Sequence, residues 1–194
     1  MSAGAKRKRP EPGFVPHGAP PPPARQQEGS AVAPWRDWAE WGAVHDALYS
    51  AGAAHAPGSG GGPGDNHLAG QPDVEWGLRK VRTWRSRARL PLSVESTASL
   101  AEAVLRDSQG CRSETESRLA LSMAVLRLVN GLLDPAQKGV FATSIAGLAE
   151  RIGLPPLLVE LRHESTHNAL PSLHILRLAA GQALAFLDHS YWQL

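Results

Sequence analysis

The chain has 194 residues, 42% of them hydrophobic, and its 20 Lys and Arg residues against 18 Asp and Glu residues give a formal net charge of +2. This balance excludes a uniformly basic nucleic-acid coat, and the single cysteine, Cys111, excludes both an intramolecular disulfide framework and a CxxC zinc site. Because no apolar run approaches the ~20 residues that span a bilayer and no signal-peptide pattern opens the chain, we expect a soluble protein of a reducing compartment with no membrane partner.

Residues 1–33 are predicted to form a disordered tail. Eight of the 16 prolines lie in Met1–Pro34, where bulky apolar side chains are almost absent. A segment that buries so little apolar surface cannot offset its ordering entropy. The basic cluster Lys6–Pro10 is typical of a nuclear import signal or a weak polyanion contact, with a solubilising tail as the alternative. We therefore expect the folded domain to occupy residues 34–194.

Residues 34 to about 49 have the spacing of an amphipathic helix, and Pro34 favours a helix start. Its apolar positions recur every three or four residues and are expected in the core: Trp35, Trp38, Trp41, Val44 and Leu48. The glycine-rich segment 52–72 that follows is predicted to be a flexible insertion.

Six further helices are predicted after the insertion. Asp73 caps one that ends at Leu90-Pro91, and Thr97–Asp107 forms the next. Segments 144–151, 155 to about 168, and 172 to about 191 form the last three. Because no segment alternates with period two over the length of a strand, the predicted fold class is all-α.

The longest predicted helix begins at a capping box, Ser113-x-x-Glu116, and ends at Pro135. Its predicted buried stripe consists of Leu119, Met123, Leu126, Val129 and Leu133.

The segment Arg162–His167 is the first candidate site. Helical steps of ~100° place His163 and His167 only ~40° apart around the axis, so both imidazoles can reach one small site. One neutral imidazole would accept the proton of a ribose 2′-OH while the other, protonated, gives a proton to the leaving 5′-oxygen, since imidazole ordinarily titrates near ~6.5. The planar charge of Arg162 suits the negative charge that the attacked phosphate gains.

Two other interpretations of this segment stay open. The string His163-Glu164-x-x-His167 matches the zincin pattern, with Glu164 as base and Asp188 as a candidate third ligand, although the GxxH of one zincin class does not follow it. Alternatively, the segment is a solvated polar face in which Glu164 pairs with a neighbouring cation.

The second candidate site is a basic segment of the second predicted helix. Six basic residues occupy eleven positions with no acidic residue among them: Arg79, Lys80, Arg82, Arg85, Arg87 and Arg89. We predict RNA phosphate contacts from Arg82, Arg85 and Arg87, with Trp84 available to stack on a base. Arg85 falls near the apolar face and is expected to enter the active site or to pair with a carboxylate. The alternatives are a solvated helix face and, for Trp84, a place in the core.

Residues 144–161 have the outline of a DNA-binding helix-turn-helix. The second of these helices would begin Pro155-Pro156-Leu157-Leu158, which supplies no side chains able to read bases. An ordinary packed pair of helices accounts for the pattern equally well.

The pattern Arg162-x-x-x-x-His167 on a helix of an all-α protein resembles the HEPN superfamily of ribonucleases. The variant Arg162-His163-x-x-x-His167 resembles the Las-one-like pre-ribosomal-RNA endoribonucleases within that superfamily. From about Trp35 to the C-terminus, further stretches resemble the same family in the same order: residues 81–87 (VRTWRSR), 90–92 (LPL), 96–98 (STA), 126–130 (LRLVN) and 191–192 (YW).

This resemblance implies a HEPN-type helical bundle and a metal-independent endoribonuclease without a cofactor. It implies cleavage of the second internal transcribed spacer of pre-ribosomal RNA in ribosome biogenesis, in the nucleus and its nucleolus. By this resemblance, the catalytic residues would be Arg162, His163 and His167. The non-catalytic alternative is a HEPN-type or helix-turn-helix nucleic-acid-binding module.

The resemblance also implies a homodimer bound to a polynucleotide 5′-kinase. Family members engage the kinase through a long region after the position of Trp192, so the resemblance leaves kinase binding by this chain open. Independently, Arg162 and His167 diverge by ~140° on a helix, and a two-fold pair of helices would bring both groups to one cleft. Leu157 and Leu158 are the expected apolar contacts of that interface.

Overall fold

The computed structural model describes residues 33–53, 73–137, 144–167 and 169–193. Within these ranges it contains no strand, seven α-helices and a C-terminal π-helical turn, so the all-α prediction is confirmed. The helices are α1 Trp38–Ala53, α2 Val74–Arg87, α3 Leu92–Ser108, α4 Glu114–Gln137, α5 Ile145–Arg151, α6 Pro156–His167 and α7 Leu173–Leu187, and the π-helix is Asp188–Trp192. Residues 1–32 of the predicted tail and 54–72 of the predicted insertion lie outside the described residues, whereas residues 52–53, predicted as the start of the insertion, belong to α1.

Side-chain caps begin several helices where the sequence predicts them. Asp73, Ser144 and Ser172 each accept a hydrogen bond from the amide three positions on, at 2.7, 3.1 and 3.4 Å. The capping box is reciprocal: Ser113 N–H donates to the Glu116 carboxylate at 2.8 Å, and Glu116 N–H donates to Ser113 Oγ at 3.2 Å. These bonds satisfy amides that a helix start would otherwise leave without partners.

Several predicted boundaries are wrong: α1 ends at Ala53 rather than near residue 49, and α2 ends at Arg87 rather than at Leu90. Helix α1 begins at Trp38 rather than at Pro34, because the Asp37 carboxylate caps it by accepting the Glu40 N–H at 2.7 Å. Helix α3 begins at Leu92, directly after a proline at the cap position, rather than at Thr97. Helix α4 continues to Gln137 through Pro135. A proline removes one intrahelical hydrogen bond, and in the final turn little helix follows that the proline could disrupt.

The predicted buried stripe of α4 is wrong in its first half. Leu119 and Met123 are 52% and 54% exposed, whereas Val129 and Leu133 are buried as predicted. Helix α4 packs against α3, α6 and α7. These neighbours cover the face of α4 that carries Leu121 and Val125. The face that carries Leu119 and Met123 is left exposed to solvent.

One core cluster joins α1, α2, the first half of α3 and the C-terminal π-helix. Trp84 has no solvent exposure, and its ring centroid lies 5.6 Å from that of Trp35 and 6.0 Å from that of Trp41. Trp38 is 41% exposed, so the tryptophan stripe enters the core only in part. Trp192, from the π-helix, closes the cluster by donating its indole N–H to Thr97 Oγ1 at 3.0 Å.

A second core cluster joins the rest of α3 to α4, α5, α6 and α7. Helices α5 and α6 pack against each other and against α4 as an ordinary helical pair. Pro156 and Glu160, at the start of α6, are exposed to solvent. Leu158 is fully buried, so its predicted place in a dimer interface is wrong, while Leu157 is half-buried. Among the described residues, no helix has the length and apolarity needed to cross a membrane.

Candidate active site

Helix α6 carries the three predicted catalytic residues. The helix is regular from Pro156 to His167, and Leu158 and Leu161 bury its inner face. Arg162 is half-buried beside this face, and His163 is exposed to solvent. His167 occupies the last position of α6, and its side chain lies outside the described atoms. The structure therefore brings Arg162 and His163 to the border between core and solvent.

An asparagine on α4 fixes the Arg162 guanidinium. The Nε–H of Arg162 donates to Asn130 Oδ1 at 2.9 Å. No role for Asn130 follows from the sequence alone, although the residue closes the family-like stretch 126–130. Gly131 follows it, and a Cβ at that position would lie 2.6 Å from Leu92 Cδ1. Glycine thus permits the close approach of α3 and α4 directly beside the Asn130–Arg162 bond.

A second contact from α4 holds the chain just after α6. Arg118 donates from Nε to the Pro171 carbonyl at 2.8 Å and from Nη2 to the Leu170 carbonyl. Two α4 side chains, Arg118 and Asn130, therefore hold α6 and the segment that follows it. Neither was predicted, because each joins positions more than 30 residues apart and no short motif signals such a pair.

A polar groove of about 880 Å³ leads to the Arg162 anchor. Helix α3, which packs against both α2 and α4, contributes Glu95 and Ser99 to it. Arg89 lines it from the connection between α2 and α3, and Arg127 and Asn130 line it from α4. Asn130 thus belongs both to the groove and to the hydrogen bond that orients Arg162.

The predicted RNA-binding arginines are engaged with other parts of the chain. Arg82 Nη2 contacts Glu102 Oε1 at 2.9 Å, and Arg87 Nη1 donates to the Pro34 carbonyl at 3.1 Å. Arg85 forms a two-pronged pair with Glu95, in which its Nε lies 2.9 Å from Oε1, and these hydrogen bonds hold the pKa of Arg85 above its ordinary value. The carboxylate pairing predicted for Arg85 is confirmed, and RNA binding by the three arginines stays a prediction.

Trp84 requires a correction. Its indole has no solvent exposure and lies between other tryptophans, so neither ring face can receive a base. The interpretation of Trp84 as a core residue is confirmed, and the stacking role is wrong. The side chain lies on the same helical face as Leu78 and Val81, both of them buried, whereas its arginine neighbours lie on the exposed face.

The candidate third zinc ligand is engaged elsewhere. Asp188 Oδ1 lies 2.7 Å from His45 Nε2, and its Oδ2 accepts a hydrogen bond from Gln193 Nε2 at 2.7 Å. Oδ1 thus ties the C-terminal π-helix to α1, and Oδ2 holds the residue that follows the π-helix. Over the described residues, no group of three potential ligands converges on a metal position, and the His167 imidazole lies outside that search.

Comparison with known proteins places these features in one family. The model of the Las1-like family matches residues 33–194. The pre-rRNA-processing protein las1 of Schizosaccharomyces pombe is 42% identical over 116 residues, which cover 60% of this chain and 23% of that protein. Protein LAS1 of Saccharomyces cerevisiae is 37% identical over 169 residues, which cover 83% and 31%. Ribosomal biogenesis protein LAS1L of Mus musculus is 34% identical over 120 residues, which cover 61% and 15%. The match spans less than a third of each relative.

Proposed function

Because the chain belongs to the Las1-like family, we propose that it is an endoribonuclease that cleaves pre-ribosomal RNA without a metal ion. Its relatives are named for pre-rRNA processing in Schizosaccharomyces pombe and for ribosomal biogenesis in Mus musculus. We extend that role to this chain and place it in the nucleus and its nucleolus. The substrate would be an internal transcribed spacer of the precursor.

The observation that carries the proposal is the anchored Arg162 beside a polar groove. The hydrogen bond to Asn130 sets the plane of the guanidinium, and Asn130 itself lines the groove. His163 follows on the same helix and is exposed to solvent. A permanent cation fixed next to a solvent-exposed imidazole supplies charge stabilisation and proton transfer at one place.

The proposed reaction is a transesterification within the RNA. One imidazole takes the proton of the 2′-OH as the 2′-oxygen forms a bond to phosphorus. The bond from phosphorus to the 5′-oxygen breaks, and the second imidazole, protonated, gives its proton to that oxygen. Arg162 stabilises the negative charge that grows on the nonbridging oxygens. The products are a 2′,3′-cyclic phosphate and a 5′-OH.

We expect the purified chain to cut a spacer transcript in EDTA and to leave these ends. Replacing the scissile 2′-OH by hydrogen should abolish cleavage at that bond, because it removes the nucleophile. The ends are read by labelling with a 5′-kinase, which accepts a 5′-OH, and by phosphatase treatment, which does not remove a cyclic phosphate. A 5′-phosphate product, or cleavage that EDTA stops, would contradict the mechanism. RNA binding without cleavage would support a binding module instead.

We further propose that two copies of the chain form the active unit. Arg162 and His167 are five positions apart on a regular helix, so they diverge by ~140° around its axis. A two-fold pair of α6 helices would place both copies of Arg162, His163 and His167 along one cleft.

A mixed dimer tests this arrangement. One wild-type chain and one His167→Ala chain, purified together through two different tags, should cleave well below half as fast as the wild-type dimer if the cleft is shared. Two independent sites would leave the rate near half. Full activity in a preparation shown by light scattering to be monomeric would also contradict the shared cleft.

A further inference from the structure

We infer that the groove between α2, α3 and α4 binds single-stranded RNA, with Arg89 and Arg127 holding phosphates on the path to Arg162. The inference rests on the proposed function and adds the binding residues and the form of the substrate. It also differs from the expectation drawn from the basic segment of α2, which assigned RNA binding to Arg82, Arg85 and Arg87.

The charges around the groove single out these two arginines. Arg85, Arg89 and Arg127 line it together with Glu95 and Glu102. Arg85 is paired with Glu95, and Arg82, on the neighbouring turn of α2, is paired with Glu102. Arg89 and Arg127 are exposed, and neither guanidinium makes a hydrogen bond or ion pair within the described ranges. They are therefore the positive charge in excess, available to phosphates at no cost in broken ion pairs.

The groove reaches Asn130, the hydrogen-bond partner of the proposed catalytic residue Arg162. Arg127 and Asn130 are three positions apart on α4 and both line the groove. Residues three positions apart on a helix lie on the same face. Since Asn130 Oδ1 accepts the Arg162 Nε–H at 2.9 Å, a strand held at Arg127 lies one helical turn from the anchor of Arg162.

The α3 side of the groove favours unpaired bases. It presents the exposed hydroxyl of Ser99 and the carboxylates of Glu95 and Glu102, whose oxygens keep lone pairs beyond those that accept from Arg85 and Arg82. Carboxylates repel phosphates but accept hydrogen bonds from base amino groups, and hydroxyls both donate and accept. RNA seated with its phosphates at Arg89 and Arg127 would direct base edges toward α3. Only a single strand has those edges unpaired.

The test measures binding in a chain that does not cleave. In a His163→Ala background, the affinity for an unstructured RNA is followed by fluorescence anisotropy over a range of salt concentrations. The logarithm of the binding constant falls linearly with the logarithm of the salt concentration, and each phosphate contact adds ~0.7 to the magnitude of this slope for a single strand. Replacing both Arg89 and Arg127 by alanine should therefore lower the slope by about 1.4. Ser99→Glu should also weaken binding, because it adds a negative charge within the groove.

Arg151→Ala is the matched control, because Arg151 is an exposed arginine on α5, away from the groove. It should leave the slope unchanged, and Arg82→Ala should change it less than Arg89→Ala does. An unchanged slope in the double variant, an equal loss in Arg151→Ala, or equally tight binding of a fully paired duplex would overturn the inference. Circular dichroism confirms that each variant keeps its helices. If wild-type chain binds through the groove but never cleaves, the proposed function fails while the RNA site stands.

Discussion

Replacing His163 or His167 by alanine is expected to lower the cleavage rate by ~10²–10⁴-fold, because each variant removes one positioned proton-transfer group. The rate is measured under single-turnover conditions, so that product release does not hide the chemical step. The wild-type pH–rate profile should be bell-shaped, since the reaction needs one neutral and one protonated imidazole. Each variant should lose one limb of that profile.

His174→Ala is the matched control for these variants. His174 is an exposed histidine on α7 and belongs to no predicted site. It should keep the wild-type rate and pH profile. RNA affinity and helical content should stay near wild type in all three variants. If either motif variant kept more than about a tenth of the rate, its histidine would not be one of the two groups.

The local signals of the sequence predicted most of the secondary structure. Asp73 and Ser113 cap helices as predicted, and Ser144 and Ser172 cap helices that were predicted to begin at those residues, because a cap depends on neighbours only three positions away. The family resemblance drawn from residues 162–167 and the other matching stretches is confirmed by the family match over 33–194. Both results depend on patterns that are complete within a short stretch of chain.

Burial and pairing were harder to predict, because they depend on which helices meet. The apolar spacing of α4 fits more than one face, and contacts with α3, α6 and α7 leave Leu119 and Met123 exposed. The basic segment of α2 contains no acidic residue, yet α3 supplies Glu95 and Glu102 as partners for its arginines. A charge pattern within one helix does not show what the next helix places beside it.

The role of Asn130 could not be predicted for the same reason, since its partner Arg162 is 32 positions away. A lone asparagine in a long helix is usually a solvated residue, and the sequence offers no spacing that would mark it otherwise. Its assignment rests on its hydrogen bond to Arg162 and on its position in the groove.

Replacing Arg162 by alanine is expected to lower the rate by ~10²–10³-fold, the usual loss when one preorganised donor to a developing charge is removed. Arg162→Lys should recover little of that loss. A lysine keeps the charge, but its single ammonium cannot both donate to Asn130 and hold two phosphate oxygens in a plane. A lysine variant that cleaved at the wild-type rate would show that only the net charge matters.

Changes at Asn130 separate the orientation of Arg162 from its charge. Asn130→Leu removes the acceptor while keeping nearly the same volume, and should lower kcat by about tenfold with little change in KM. Asn130→Asp keeps an oxygen for the Arg162 Nε–H but adds a negative charge to the groove, so it should retain most of kcat and raise KM. Steady-state kinetics on the spacer transcript give both constants, and urea denaturation reports any loss of stability. A purely structural role would lower kcat in proportion to stability in both variants. A loss confined to kcat in Asn130→Leu, together with a rise confined to KM in Asn130→Asp, is therefore the result that identifies Asn130 as a positioning residue.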